Sequence, residues 1–291
     1  MRARSNKGLS LIETLVSTVV LLVVSGAAFN ALDYYIRTYS SNQLRAGVQM
    51  GAGGALELMA QEIGQAGLLN FTGVLSEPVT ASPTVTTVSL SSVESIFVGE
   101  TLTIDNGDNQ ETVAVTALNA SQITAIFKKT HAKDAPVNAM GVFPEGILGS
   151  STGTELRLFG DINADGSLVY VKYTCDMTKG QLLRSVTTIT PSTATATAAV
   201  PLVSNLVANP GGTPCFQYAP QITVKGFTFI TYVAVTITVK TATRDLQTNK
   251  FVTMTRPVLN VSPRNIISGL NLALAGYTSR LQAKPPNIPM T

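Results

Sequence analysis

Residues 14–32 form an apolar run of 19 residues without a formal charge. As a helix rising about 1.5 Å per residue, the run would be roughly 28 Å long, close to the ~30 Å hydrocarbon core of a bilayer. Beyond it the pattern becomes amphipathic. Leu44, Val48, Leu56, Met59 and Ile63 recur at three- and four-residue spacings with one longer gap, and Asp33, Arg37, Arg45, Glu57 and Glu62 are spread between them. Gly64 and Gly67 suit a helix end. The pattern therefore predicts one helix of about 55 residues, from Leu9 to near Gln65. Gly51, Gly53 and Gly54 would each cost about 1 kcal/mol in an exposed helix. They are read as close packing of the helix backbone on a sheet, with a flexible break as the other reading.

After Gly67 the period changes to two. Residues 84–90, 101–104, 111–117 and 122–127 read as short strands, and Asp105-Asn106-Gly107-Asp108 is a hairpin signal between two of them. This piece reads as a small β module with its own surface role. A second β region follows. Val169, Val171, Tyr173 and Cys175 share one face of a strand, and residues 181–186 return after a turn at Lys179-Gly180. Residues 187–199 are of low complexity and read as an exposed loop. The longest strand is expected at residues 229–241, with Phe229, Val233, Val235, Ile237 and Val239 on its buried face. Residues 250–261 pair with it across 243–249, and the proline-bearing tail reads as frayed. The fold class is α+β: a long N-terminal helix, with anchor and amphipathic halves, packed on an antiparallel β-sheet head with an inserted small all-β module.

Composition narrows the function classes. Of 291 residues, 45% are apolar and 13% charged, which fits a folded chain with a buried core. The net charge of +3, without a basic patch interleaved with aromatics, leaves no sign of a nucleic-acid partner. Two cysteines, Cys175 and Cys215, are too few for a structural zinc site. The single histidine, His131, stands without a cysteine or serine motif and reads as a solvated loop residue. No nucleophile elbow, phosphate loop or paired-histidine motif is present, so an enzyme is not expected.

Arg2, Arg4 and Lys7 precede the apolar run and favour a cytoplasmic N-terminus. A secretory signal ending near Ala28 and a plain anchor are both compatible with that much. Neither accounts for Glu13, an ionisable group within the hydrophobic segment, where a charge is costly unless a cation meets it. The stretch Lys7-Gly8-Leu9-Ser10-Leu11-Ile12-Glu13 resembles the leader junction of type IV prepilins and type II secretion pseudopilins. The resemblance implies that prepilin peptidase cuts between Gly8 and Leu9 and methylates the new amine of Leu9. It also implies that Glu13 pairs with the Leu9 ammonium of a neighbouring subunit during assembly. Leu9 departs mildly from the Phe or Met usual at that place, and the mid-anchor proline frequent in major pilins is absent.

A narrower resemblance lies downstream. The Val-Tyr-Val-Lys-Tyr strand, Gln181-Leu182-Leu183-Arg184, Leu202-Val203-Ser204-Asn205-Leu206, Cys215-Phe216-Gln217-Tyr218 and Pro263-Arg264-Asn265 together look like the PilW minor pilins and J-type pseudopilins. The resemblance covers residues 5–66 and 154–266. It divides the chain into a leader (1–8), a transmembrane and filament-core helix (9–66), a variable β insertion (67–150), a pilin-like β head (151–270) and a tail (271–291). It implies a minor pilin at or near the pilus tip, with a type II secretion pseudopilin and an anchored surface adhesin as alternatives. Expected partners are prepilin peptidase, other major and minor pilins through the helix, and the inner membrane before assembly. The head would be periplasmic first and extracellular once the pilus is assembled.

With the head outside the cytoplasm, Cys175 and Cys215 are expected to form a disulfide. Asp161, Asn163 and Asp165, followed by Gly166, resemble the start of a calcium loop, but the twelfth position is Lys172 rather than Glu. A β-turn and a bound calcium ion both remain open there; no other cofactor is expected.

Overall fold

The computed structural model describes residues 10–189 and 194–288. The leader 1–8 and the processing residues Gly8 and Leu9 lie outside the described residues, as do part of the low-complexity stretch and Pro289. One helix, α1 (Leu11–Gln65), spans 55 residues. Its chain belongs to two units: residues up to 49 group with 240–253, and residues 50–239 group with 254–291.

Over residues 14–32 α1 is apolar on every side, so no stripe selects a packing face there. Between Leu11 and Tyr39 its large apolar side chains are exposed. Asp33 and Arg37 pair across one turn at 2.8 Å. The same unit contains a loop, residues 241–252, held to the helix by side chains. Ser41 Oγ donates to Asp245 Oδ2 at 2.9 Å, Gln247 Nε2 to Thr38 Oγ1 at 2.8 Å, and Arg37 Nη1 to the Leu246 carbonyl at 3.2 Å.

In the second unit the helix does select a face. Ala52, Ala55, Leu56, Met59, Ile63 and Ala66 recur at helical spacing and are all buried. The expected glycine packing is corrected here: a Cβ at Gly51, Gly53 or Gly54 would meet nothing within 4 Å. The small residues that bring the helix close are Ala52 and Ala55 on the opposite stripe, and the helix runs unbroken past the glycines.

The strands that follow are β1 (Leu68–Val74), β2 (Thr86–Ser89), β3 (Thr101–Ile104), β4 (Glu111–Ala114), β5 (Ala117–Asn119), β6 (Gln122–Ala125) and β7 (Pro136–Val142). They form a sheet in the order β1-β7-β3-β4 and a second in the order β2-β6-β5, with every pairing antiparallel. The next group is β8 (Glu155–Gly160), β9 (Val169–Asp176), β10 (Gln181–Ile189), β11 (Ala194–Ala196) and β12 (Val200–Ser204). Its sheet runs β11-β10-β9-β8, with β12 also on β10. The low-complexity stretch is therefore not all loop: β10 continues to Ile189 and β11 folds back onto it. Then come β13 (Leu206–Val207), β14 (Phe216–Tyr218), β15 (Ile222–Val224), β16 (Phe227–Phe229), β17 (Val233–Lys240) and β18 (Thr253–Val261). β17 is flanked by β13 and β14 and pairs with β18, while β15 and β16 form a two-stranded ribbon. The expected long strand is thus broken after Phe229. Its surviving part is buried on both faces, since Ala234 and Thr238 are covered as well as the four valine and isoleucine positions.

One apolar cluster joins the strands after the helix to those of the head. Leu102, Val137 and Phe143 share it with Phe159, Leu168, Tyr170 and Ile189. Phe143 stacks its ring at 5.7 Å from Phe97 and 5.0 Å from Phe159. The tail through Ile288 is docked rather than frayed. A second helix, α2 (Arg264–Leu274), is followed by Leu281 bridged to Val142. Gln282 accepts from the Thr101 amide at 3.0 Å and donates to its carbonyl at 3.1 Å, and Ile288 is buried in the cluster.

The end of α1 is set by backbone contacts. Asn265 Nδ2 caps the Gln65 carbonyl at 3.0 Å, and Gly67 follows with φ 80°. A Cβ at Gly67 would come within 2.7 Å of the Phe143 carbonyl, and one at Gly146 would strike Gly67 Cα. The bare backbones let Gly67 N–H donate to Phe159 O at 2.9 Å, Phe143 N–H to Gly67 O at 2.8 Å, and Asp161 N–H to Leu68 O at 2.8 Å.

Candidate functional site

The exposed N-terminal half of α1 is the feature that globular packing does not use. An 18-residue window of it has a mean hydropathy of 2.1 and none of it is buried. By length and composition it meets the requirement of a membrane anchor. Leu11, Ile12, Leu15 and Val16 surround Glu13, which lies in the first turn, where a negative charge suits the helix N-terminus. Among the described residues Glu13 makes no ion pair. A carboxylate set in apolar surface can enter an apolar environment at tolerable cost only if a cation arrives with it. Thr14 and Thr18 satisfy their hydroxyls on helix carbonyls at 2.9 and 2.8 Å, so they leave no free donors on this surface.

The remaining sites singled out from the sequence resolve differently. Cys175 at the end of β9 and Cys215 just before β14 are joined, with their Cα atoms 6.6 Å apart. At the calcium-loop candidate, Asp161 is fully buried and its two oxygens accept the amides of Asp165 at 2.9 Å and Gly166 at 3.0 Å. Asp165 in turn accepts the Ser167 amide at 2.8 Å, and Asn163 is exposed. These carboxylates build a turn from backbone N–H groups, the arrangement short polar side chains favour between strands. Among the described residues no three carboxylate, histidine or cysteine side chains gather as a metal site.

His131 is not a solvated loop residue; its side chain is fully covered. Nδ1 lies 3.1 Å from Asp105 Oδ2 and Nε2 2.7 Å from Glu111 Oε1. Ionised carboxylates only accept, so whichever ring nitrogen carries a proton donates to the carboxylate it faces. Ile123, Ala125 and Phe127 alternate inward and His131 is buried like them, but a bend at Lys128-Lys129 breaks the alternation before it. The Asn106 amide and then His131 hold the Asp105 carboxyl below its usual range. For Glu111 burial pushes upward, but hydrogen bonds from His131 and from the amides of Lys128 and Lys129 outweigh it and leave it low. Depressed carboxylates add stability above their unfolded values near 4 and lose it as the pH falls through the folded values. We therefore expect acid unfolding of the wild type to begin below about pH 4, and His131→Leu to move that transition to higher pH while lowering Tm by several degrees at pH 7. Equal acid transitions for the two proteins, followed by circular dichroism, would count against this role.

A second buried carboxylate, Glu62, is in the sequence only one of several dispersed helix charges. It falls on the buried stripe, midway between Met59 and Ala66. Oε2 accepts the Tyr173 hydroxyl at 2.5 Å and the Arg184 Nε at 3.3 Å, and Oε1 accepts Arg184 Nη2. A third, Glu100, accepts the Phe97 amide at 3.0 Å through one oxygen while the other has no partner, and burial pushes its pKa up to about 8. The recess beside the end of α1, about 460 Å³ and lined by Gln61, Gln65 and Arg264 among others, gathers no acid–base pair.

No family model matches the chain, and no curated protein matches it.

Proposed function

We propose that the chain is a minor type IV pilin: a membrane-anchored precursor, cut after Gly8, that enters a filament through α1 and exposes its β head at or near the tip. The observation that carries this reading is the pairing of an unburied apolar half-helix with an unpaired carboxylate, Glu13, in its first turn. A helix apolar all round is suited to a bilayer and equally to a bundle of its own kind. Glu13 supplies what a plain anchor does not need, a demand for a cation at a fixed depth. The methylated amine of Leu9 on a neighbouring subunit would meet it, four residues upstream in sequence. The basic leader ending in Gly8, with Leu9 after it, supports the same reading, and the resemblance of the head to PilW proteins favours a minor subunit over the repeating body of the fibre.

N-terminal mass spectrometry of the mature protein is the direct test. A start at N-methyl-Leu9 is expected; a start near Ala28 or an intact Met1 would end the proposal. Glu13→Ala tests assembly separately. Leaving one charge without its partner in apolar surroundings costs about 3 kcal/mol, so incorporation into sheared filaments should fall roughly a hundredfold, with the precursor still accumulating in the membrane. Undiminished incorporation would remove Glu13 from the mechanism.

A further inference from the structure

The loop that joins β17 to β18 has a composition that neither its fold nor the filament role explains. Leu246 is 54% exposed and Phe251 42% exposed. Lys240 Nζ sits 5.3 Å and the Arg244 guanidinium 5.5 Å from the centre of the Phe251 ring. Lys250 adjoins them on the same exposed loop. In this unit, from Asp33 onward, five cations (Arg37, Arg45, Lys240, Arg244, Lys250) stand against two carboxylates. Both carboxylates are already engaged, Asp33 by Arg37 and Asp245 by Ser41. The Gln247 amide and then the Ser41 hydroxyl hold Asp245 low, with Thr248 N–H and the charge of Arg45 adding to them.

Position decides what such a loop meets. The loop is bonded to α1 at Arg37, Thr38 and Ser41. Counting from Leu32, the end of the apolar run, these residues lie roughly 7 to 14 Å further along the helix axis. The headgroup layer of a bilayer is about 5–8 Å thick on each side. A helix that buries residues 14–32 therefore holds Thr38 and Ser41 beyond the outer edge of that layer, while the Arg37 guanidinium, drawn back to Asp33, holds the Leu246 end of the loop within it. Tyr34 and Tyr35 are exposed within the same layer, and the Tyr35 and Tyr39 rings stack at 6.2 Å. Aromatic rings and long cationic side chains are the residues that settle at a membrane interface.

We propose that residues 241–252 form an interfacial foot on the non-cytoplasmic leaflet before assembly. Leu246 and Phe251 enter the headgroup layer, while Lys240, Arg244 and Lys250 face anionic lipid headgroups. Ser41 and Asp245 form the latch that keeps the foot at that height. The inference rests on the membrane-anchor reading of α1, and the test separates the two.

The chain contains no tryptophan, so a single introduced one reports alone. The full chain carrying Phe251→Trp, or Leu246→Trp as a second reporter, is placed in vesicles of brominated phosphatidylcholine, with and without an equal part of phosphatidylglycerol. Leu22→Trp reports the apolar run. We expect quenching of all three, with the loop reporters quenched more strongly in the anionic vesicles. In a Lys240→Gln, Arg244→Gln, Lys250→Gln background, each cation removed should shift the loop's partition between membrane and water by about fivefold. Quenching at residue 22 with neither loop reporter quenched would overturn the foot and leave the anchor standing. No quenching at residue 22 would overturn both. Loop quenching indifferent to phosphatidylglycerol and to the charge substitutions would overturn the anionic surface. Loop fluorescence that changes only as the protein-to-lipid ratio rises would assign the surface to a second copy of the chain instead, and overturn the foot.

Discussion

Glu62→Ala is expected to lower the free energy of unfolding by about 3 kcal/mol, toward the lower end of what breaking a buried ion pair costs. Two groups depend on this carboxylate: the Tyr173 hydroxyl and the Arg184 guanidinium. The Glu62 side chain is 6% exposed and that of Arg184 25% exposed, so water can partly recover the arginine but not the tyrosine. Burial, with the Glu62 charge and hydrogen bond behind it, pushes the Tyr173 hydroxyl above its usual range, and the pair keeps Arg184 charged against its own desolvation. Alanine would leave a buried hydroxyl without an acceptor and a cation without its counter-charge. For a chain of this size the shift in Tm is roughly 6–12 °C. Glu62→Gln, which keeps an acceptor for Tyr173, should cost less. A cycle combining Glu62→Ala with Arg184→Ala would show strong coupling. Thermal and denaturant unfolding of the detergent-solubilised full chain measure all of these. A loss under 1 kcal/mol for Glu62→Ala would mean that the helix is held by its apolar stripe alone.

The second large effect is expected at the disulfide. Cys175 and Cys215 are separated by 40 residues, and closing such a loop stabilises by about 4 kcal/mol in the chain-entropy account. Native contacts around it are already made. Cys175 N–H donates to Thr154 O at 2.8 Å, Thr236 N–H to Cys215 O at 2.9 Å, and both cysteines are buried. Removing the bond therefore chiefly enlarges the unfolded ensemble rather than dismantling a packed region. Alanine at both positions is the cleaner substitution, because serine would bury two hydroxyls. Urea midpoints with and without reductant should differ by the amount that the double alanine variant loses. Identical midpoints would mean that the link restrains an unfolded chain already held close by other means.

Local periodicity made much of the fold legible. The end of α1 near Gln65, the β3–β4 hairpin at Asp105–Gly107 and the β9–β10 return at Gly180 all depend on residues within a few positions of one another. The missing pieces depend on partners far away in the chain. Nothing near Gln282 announces Thr101, and nothing near Phe143 announces Phe159 and Tyr170, so neither the docked tail nor the shared apolar cluster could be read in advance. Gly51, Gly53 and Gly54 misled because glycine in a helix suggests contact, whereas the contact face is set by the phase of Ala52 and Ala55. At the proposed site the reading divides the same way. Glu13 is visible because a charge inside an apolar run is a local contradiction. Glu62 and His131 are hidden because each is a polar group whose partners lie on distant strands and turns.

The glycine junction at the foot of α1 has a mechanical consequence. Gly67 and Gly146 admit backbone against backbone, and the chain leaving the helix is fastened by peptide hydrogen bonds to Phe143, Phe159 and Asp161. Tension drawn along the helix would reach these bonds together with the Asn265 cap, the Glu62 pair and the buried apolar stripe, and the peptide share of the joint would depend on amides and carbonyls that no ordinary substitution removes. Its weakness would be geometric: a single methyl group at residue 146 would part the two backbones and turn a joint that yields slowly under pull into one that slips.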